Sequence, residues 1–313
     1  MKRFIFKTLL FLLPIVILAV SLEYLLQQIP NDYTYKKNYL HEHSKEIQIL
    51  ILGSSDTFYG IDPVYFPQNT FNASHVSQTL DLELKIFNKF QNDFNNLGLI
   101  IIPISYSALW GKLEKNGDSW RMKNYALYYN IKTNSISDNF ELMNSKLSHN
   151  IQRFYNYYFK KKDNIICSEL GWGTDYSSEN DNENELEKTG KTMASLHTFD
   201  LNSDEKKKIF TENIKILNIF AELCNQKNIK IIILSTPVYR TYRENVSSIQ
   251  LNKMIGTIEN FVEKHDNCEY INLMDDKDFT TADFHDANHL DEIGAKKLSE
   301  KLSREIDSLG IFK

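Results

Sequence analysis

Residues 46–63 read EIQILILGSSDTFYGIDP. From Ile47 to Leu52 the run is apolar except for Gln48, the pattern of a short strand buried on both faces of a parallel sheet. Gly53 ends it and permits a sharp turn. Ser54, Ser55 and Asp56 then fall where the strand's C-terminal end would be, the edge at which open α/β sheets bind ligands. A serine in that place has a plainer role as well, the capping of a helix N-terminus, and for an isolated Gly-Ser-Ser that role is the commoner one.

Working outward, LGLIIIPI (97–104), IKIIIL (229–234) and Tyr270–Leu273 read as further strands. Residues 78–94, 204–226, 251–265 and 291–309 carry helical apolar spacing. Short apolar strands alternating with helices predict an α/β fold, a three-layer sandwich around a mainly parallel sheet. Residues 106–201 break the rhythm. Their Tyr-rich part (NYALYYN to RFYNYYF) could be helical, and their acidic tail TDYSSENDNENELEKTGK has no apolar period. The block is expected to be an inserted lid region whose tail is an exposed loop.

The first thirty residues set the address. Lys2, Arg3 and Lys7 precede an uncharged run from Thr8 to Leu22, extended past Glu23 by Tyr24, Leu25 and Leu26. About 20 apolar residues span a bilayer, and basic residues stay on the cytoplasmic side. Residues 1–30 are therefore expected to be a single-pass anchor, or a cleaved signal segment, with 31–313 outside the cytoplasm.

The 313 residues allow one or two domains. A net charge of −5 removes the simple electrostatic case for binding nucleic acid. Cys167, Cys224 and Cys268 are too few and too scattered for a disulfide framework or a CxxC zinc site, though one pair could form in an oxidising compartment.

The second chemical motif is DFHDANHLDEIGAKKLSEKL, residues 283–302. Asp286 and His289 are three apart just before a helix, so the carboxylate can reach one ring nitrogen and leave the other as a base. Asp283, His285, Asp286 and His289 could also ligate a metal, but the histidines precede the helix and do not share its face, so no metal is expected.

A serine after the first strand combined with Asp-x-x-His before the last helix resembles the SGNH/GDSL hydrolase superfamily. The resemblance covers roughly 46–110 and 204–310. It implies an SGNH-like, flavodoxin-like sandwich in which Ser55 is the nucleophile, Asp286 the orienting acid and His289 the base. Ser54 then stands in the place of the family's usual aspartate. The family's second block corresponds to FNASHVSQTLD (71–81) and its third to IIPISYSALW (101–110). Ser55, Ser74 and Ser105 are then the oxyanion-hole candidates.

The N-terminal anchor, the GSS first block, the FN second block and the DxxHL ending are most similar to membrane-anchored SGNH-like proteins of bacterial cell-envelope glycan modification. Among these are the alginate acetylation proteins and the protein of teichoic acid D-alanylation. That likeness implies an esterase or O-acetyltransferase working without a cofactor on a cell-surface polysaccharide, with a membrane-bound acyltransferase as a possible partner. The alternative is a non-catalytic glycan-binding or assembly subunit on the same fold.

His75, Tyr106, Tyr239 and Arg240 are the substrate-binding candidates. Arg240 could hold an anionic polymer or be an ordinary loop arginine, and His75 is expected on a solvent-facing loop. His197 could approach from the insertion. Trp110, Trp120 and Trp172 could stack on sugars, although packing is the plainer role. GWGTDY (171–176) has no role legible in the sequence.

Overall fold

A computed structural model of the chain describes residues 1–178 and 183–312, with residues 183–185 given by their backbone. In chain order the described elements are α1 (Lys2–Gln27), α2 (Asp32–His43), β1 (Ile49–Ile51), α3 (Ser55–Gly60), β2 (Thr70–Asn72), α4 (Leu80–Phe90), β3 (Leu99–Pro103), α5 (Met122–Leu127), α6 (Glu141–Asn144) and α7 (Leu147–Tyr158). Then come α8 (Glu183–Leu196), α9 (Asp204–Gln226), β4 (Lys230–Ser235), α10 (Arg240–Asn245), α11 (Ser248–Val262), β5 (Cys268–Asn272), β6 (Phe284–Asp286), β7 (His289–Leu290) and α12 (Glu292–Leu309). They divide into two compact units: Met1–Lys37 with Gly117–Ile165, and Asn38–Asn116 with Ile166–Lys313.

In the first unit, α1 is long and apolar enough to cross a membrane, with mean hydropathy 2.5 over its window and almost no burial. A soluble core helix of that composition would be covered. Glu23 near its C-terminal end accepts from the Glu141 and Leu142 amides at 2.7 and 2.9 Å, satisfying the first turn of α6. Tyr158 donates to the Leu25 carbonyl at 2.9 Å. The buried Glu141 carboxylate is held by Lys123 and by Arg153, the latter at 2.7 Å. Burial opposes its charge, but the two cations outweigh that and hold its carboxyl below the usual range.

The second unit is built on a five-stranded, wholly parallel sheet in the order β2-β1-β3-β4-β5. Every residue of β1, β2 and β3 is buried. That requires cover on both faces, and it is why these strands read as continuous apolar runs. A fully buried aliphatic side chain such as Leu50, Ile100 or Ile232 contributes about 1.5–3 kcal/mol. The order 2-1-3-4-5 puts a switch point between β1 and β3, and the loops leaving both strands open at that edge.

Several expectations are corrected. The block 106–201 is not one insertion: Tyr106–Asn116 and Ile166–Leu201 belong to the sheet-bearing unit, and 117–165 joins the first unit. The acidic tail is not a loop throughout. Residues 179–182 lie outside the described residues, but from Glu183 the chain is helical as α8. Its Leu186, Gly190 and Ala194, spaced by four, are buried. A Cβ on Gly190 would fall 2.2 Å from Thr241 Oγ1, so this helix meets α10 at near-backbone distance. All three cysteines are free, and burial pushes the Cys224 and Cys268 thiols up to about 12.

Gly53 has φ +128°, and a Cβ there would sit 2.1 Å from Pro103 Cγ and 2.4 Å from Thr57 Oγ1. Gly53→Ala therefore combines left-handed strain with overpacking at the sheet edge. It should cost at least about 2 kcal/mol of stability, read as a fall in the denaturant midpoint. An unchanged midpoint would show that the turn relaxes freely.

Candidate active site

Ser55 opens the short helix α3 directly beyond β1. Residues in a first helical turn have no intrahelical acceptor for their amides, so the Ser55 N–H is left over by the helix itself. The position of α3 is fixed from several sides. Asn72, at the end of β2, donates from Nδ2 to the Thr57 and Ile61 carbonyls at 2.8 and 2.9 Å. Thr57 donates to the Leu52 carbonyl at 3.0 Å.

GWGTDY acquires a role here. The Gly173 N–H donates to Phe58 O at 2.8 Å, and Trp172 Nε1 donates to Tyr59 O at 2.6 Å, satisfying carbonyls at the C-terminal end of α3. The same strap continues to Ser178, whose amide and hydroxyl donate to Glu292 at the start of α12, at 2.8 and 2.5 Å. One loop thus ties the helix that starts at Ser55 to the helix that follows His289.

Asp286 ends β6 and His289 begins β7, the two halves of a tight antiparallel pair. Asp286 Oδ1 accepts from the Asn288 and His289 amides, both at 2.9 Å. His289 Nδ1 lies 3.0 and 2.9 Å from the two Asp286 oxygens, and His289 Nε2 lies 2.8 Å from Ser55 Oγ. A proton on Nδ1, donated to the carboxylate, leaves Nε2 to accept from the serine hydroxyl. The pair is braced from α10, where the Tyr239 N–H donates to Ala287 O at 2.9 Å. Asp291 caps α12 by accepting from the Ile293 and Gly294 amides, both at 2.8 Å.

Burial works against a charged His289 ring, but the Asp286 charge and hydrogen bond, with Asp56 behind them, carry it above the ordinary histidine value. Burial likewise works against the Asp286 carboxylate, and His289 together with the backbone amide holds it below the usual range. Tyr176 stacks between Tyr59 at 3.6 Å and His285 at 3.9 Å and meets the His289 ring edge-on at 5.6 Å. That aromatic pile fixes the plane of the imidazole.

The structure therefore brings Ser55, Asp286 and His289 into one hydrogen-bonded line across 234 residues of sequence. The other expected site residues are placed as follows. Ser74 is fully buried, its amide donates to Asn72 Oδ1 at 3.0 Å and its hydroxyl pairs with Thr57, so it has no donor left for an oxyanion. His75 does not face solvent: it is 2% exposed, and its amide donates to Gly53 O. Tyr106 is buried, with its hydroxyl bonded to Thr198 and to the Ser247 amide.

Tyr239 is buried beside Phe284. Arg240 stays exposed but is paired with Glu187 of α8. Trp110 is buried against Phe210. Ser105 follows β3 at the switch-point edge, and among the described residues its amide and hydroxyl make no hydrogen bond.

His197, from the loop after α8, bonds through Nδ1 to the Tyr242 hydroxyl at 2.8 Å. Burial, the largest cause, lowers its value, with the charges of Asp56 and Asp286 working the other way. Asp56, Tyr59, Tyr176 and Tyr242 were not singled out by sequence reasoning. Asp56 carried a signal as the neighbour of Ser55, and Tyr176 as the last residue of GWGTDY. The possible metal cluster is dispersed: Asp283 pairs with Lys297 at 2.6 Å, His285 stacks on Tyr176, and Asp286 is taken by His289.

No protein-family model matches the chain, and no curated protein does. Among solved structures it is similar to a protein described as a platelet activating factor from Streptococcus pneumonia. The TM-score is 0.44 at 11% identity, covering 95% of this chain and 98% of the other. It is also similar to a GDSL-like lipase from Bacteroides thetaiotaomicron, with TM-score 0.42, 12% identity and coverage of 89% and 99%. A protein described as an acylhydrolase from Bacteroides fragilis gives 0.42, 10% identity and coverage of 87% and 95%.

Proposed function

We propose that the chain is a serine-dependent acyl-ester hydrolase or O-acyltransferase of the SGNH kind, anchored by α1, working outside the cytoplasm on a cell-envelope polysaccharide. The observation that carries the reading is the Ser55–His289–Asp286 line at 2.8 and 2.9 Å. In the proposed reaction Ser55 Oγ attacks the ester carbonyl as its proton passes to His289 Nε2, and Asp286 stabilises the imidazolium. The oxyanion is met by the Ser55 N–H and by Ser105. Collapse breaks the C–O bond, His289 returns the proton to the leaving alkoxide, and an acyl group remains on Ser55. Water or a sugar hydroxyl then takes it by the reverse path. No cofactor is needed. In the transfer version, a membrane-bound acyltransferase would supply the acyl group.

The site and length of α1 support the anchor. The polysaccharide substrate rests on the resemblance of the motifs to envelope-modifying proteins. One observation favours the second reading, a non-catalytic glycan-binding subunit: the second block contributes no oxyanion donor, because the Ser74 amide is spent on Asn72.

The test is hydrolysis of a model acetyl ester by the full chain in detergent, followed against pH. His289 must be neutral to act as base, and its value is raised. The rate is thus lost as pH falls through a midpoint above the ordinary histidine value of about 6.5. Chelation should leave the rate unchanged. Activity that needs a divalent metal, or no activity at any pH, would overturn the proposal.

A further inference from the structure

The unit that carries α1 exposes an apolar stripe that none of the described residues covers. Phe140, Met143, Leu147, Ile151, Tyr155 and Phe159 follow one another at intervals of three or four residues and are 40–68% exposed. Four of them, from Leu147 on, are spaced by four along and just beyond α7. They form one continuous face of that helix. The opposite side is packed: Asn150 is fully buried, and Arg153 lies in the Glu141 cluster. The stripe ends at Lys160, Lys161 and Lys162, all exposed, with the Lys160 ammonium 5.2 Å over the Tyr155 ring.

We propose that this face of α7 lies in the surface of the same bilayer that α1 crosses, its apolar side chains among the acyl-chain boundary and its three lysines on anionic headgroups. Two observations favour lipid over a protein partner. First, the stripe is tethered to the end of the span itself. Glu23 caps α6, and Tyr158 of α7 holds the Leu25 carbonyl, both within the last turns of α1. Second, the chemistry is that of an interfacial helix: an aliphatic and aromatic face, tyrosine at its margin, and a basic cluster at its end.

The inference rests on reading α1 as a membrane span. Full-length chain carrying a nitroxide at Ile151→Cys, in a Cys167→Ser background, is reconstituted in vesicles of phosphatidylcholine and phosphatidylglycerol at three to one. Leu147→Cys serves as a second stripe site, and Lys208→Cys, exposed on α9, as the aqueous control. Power saturation compares collision with oxygen, enriched in lipid, and with a water-soluble nickel chelate.

The expected result is that both stripe labels favour oxygen by several fold over the control. Removing phosphatidylglycerol should shift both toward the chelate. Stripe labels as open to the chelate as Lys208, in protein that stays with the vesicles, overturn the stripe while leaving the anchor standing. Protein washed off the vesicles by carbonate overturns the anchor and the stripe with it.

Discussion

Ser55→Ala should lower ester turnover by on the order of 10⁴-fold or more, about 5.4 kcal/mol of transition-state stabilisation. The hydroxyl lost is the one 2.8 Å from His289 Nε2. His289→Ala should cost a similar factor, because a serine without its base is a weak nucleophile at neutral pH. The double change should cost little more than either alone, since the two groups act in one step. Ser54→Ala is the control: its hydroxyl donates to Asp56 at 3.1 Å and has no contact with the imidazole, so its effect should be mild. Turnover is measured on a model acetyl ester, with folding checked by circular dichroism. A dead Ser54→Ala beside an active Ser55→Ala would move the nucleophile by one residue.

Asp286→Asn should cost about 10³–10⁴-fold, for a reason visible in its hydrogen bonds. Oδ1 of Asp286 accepts two backbone amides, from Asn288 and His289. An asparagine keeps those bonds only by leaving its oxygen there, which turns its NH₂ toward His289 Nδ1. Nδ1 must then accept, the ring proton moves to Nε2, and Nε2 can no longer take the proton of Ser55. The lost carboxylate charge also removes what raises His289, so the acid limb of the residual activity should move to lower pH. A large rate loss with an unmoved limb would mean that Asp286 acts only in holding the β6–β7 turn.

How far the sequence could be read follows from where each signal is stored. β1, β3 and β4 were legible because strands buried on both faces leave continuous aliphatic runs, and α9 because its apolar spacing is helical from Ile209 onward. β2 was not: Thr70–Asn72 is three residues with no period, made a strand by its register against Ile49–Ile51. α8 escaped because two of the three residues on its packed face, Gly190 and Ala194, are small, and it is the size of Gly190, not its hydropathy, that permits contact with Thr241.

In the site, Asp286 and His289 were legible because their pairing is local, and Ser55 because it follows a readable strand. Ser74, His75 and Tyr106 misled because the fate of a donor is decided by how the chain is folded around it: the Ser74 amide turns back on Asn72 Oδ1 two residues earlier, while His75 and Tyr106 meet Gly53 O and Thr198 far along the chain. The Tyr59–Tyr176–His285 pile joins three segments far apart in the chain, and the strap at 171–178 works largely through backbone carbonyls. Neither leaves a pattern in residue types.

The central claim is that Ser55 is a nucleophile made reactive by His289. It is tested most directly by treating the folded full chain with a serine-directed fluorophosphonate and sequencing the modified peptide by mass spectrometry. The account predicts one adduct, on Ser55, retained in Ser54→Ala, absent in Ser55→Ala, and formed far more slowly in His289→Ala. No adduct on the folded protein, or an adduct on Ser54, would contradict it.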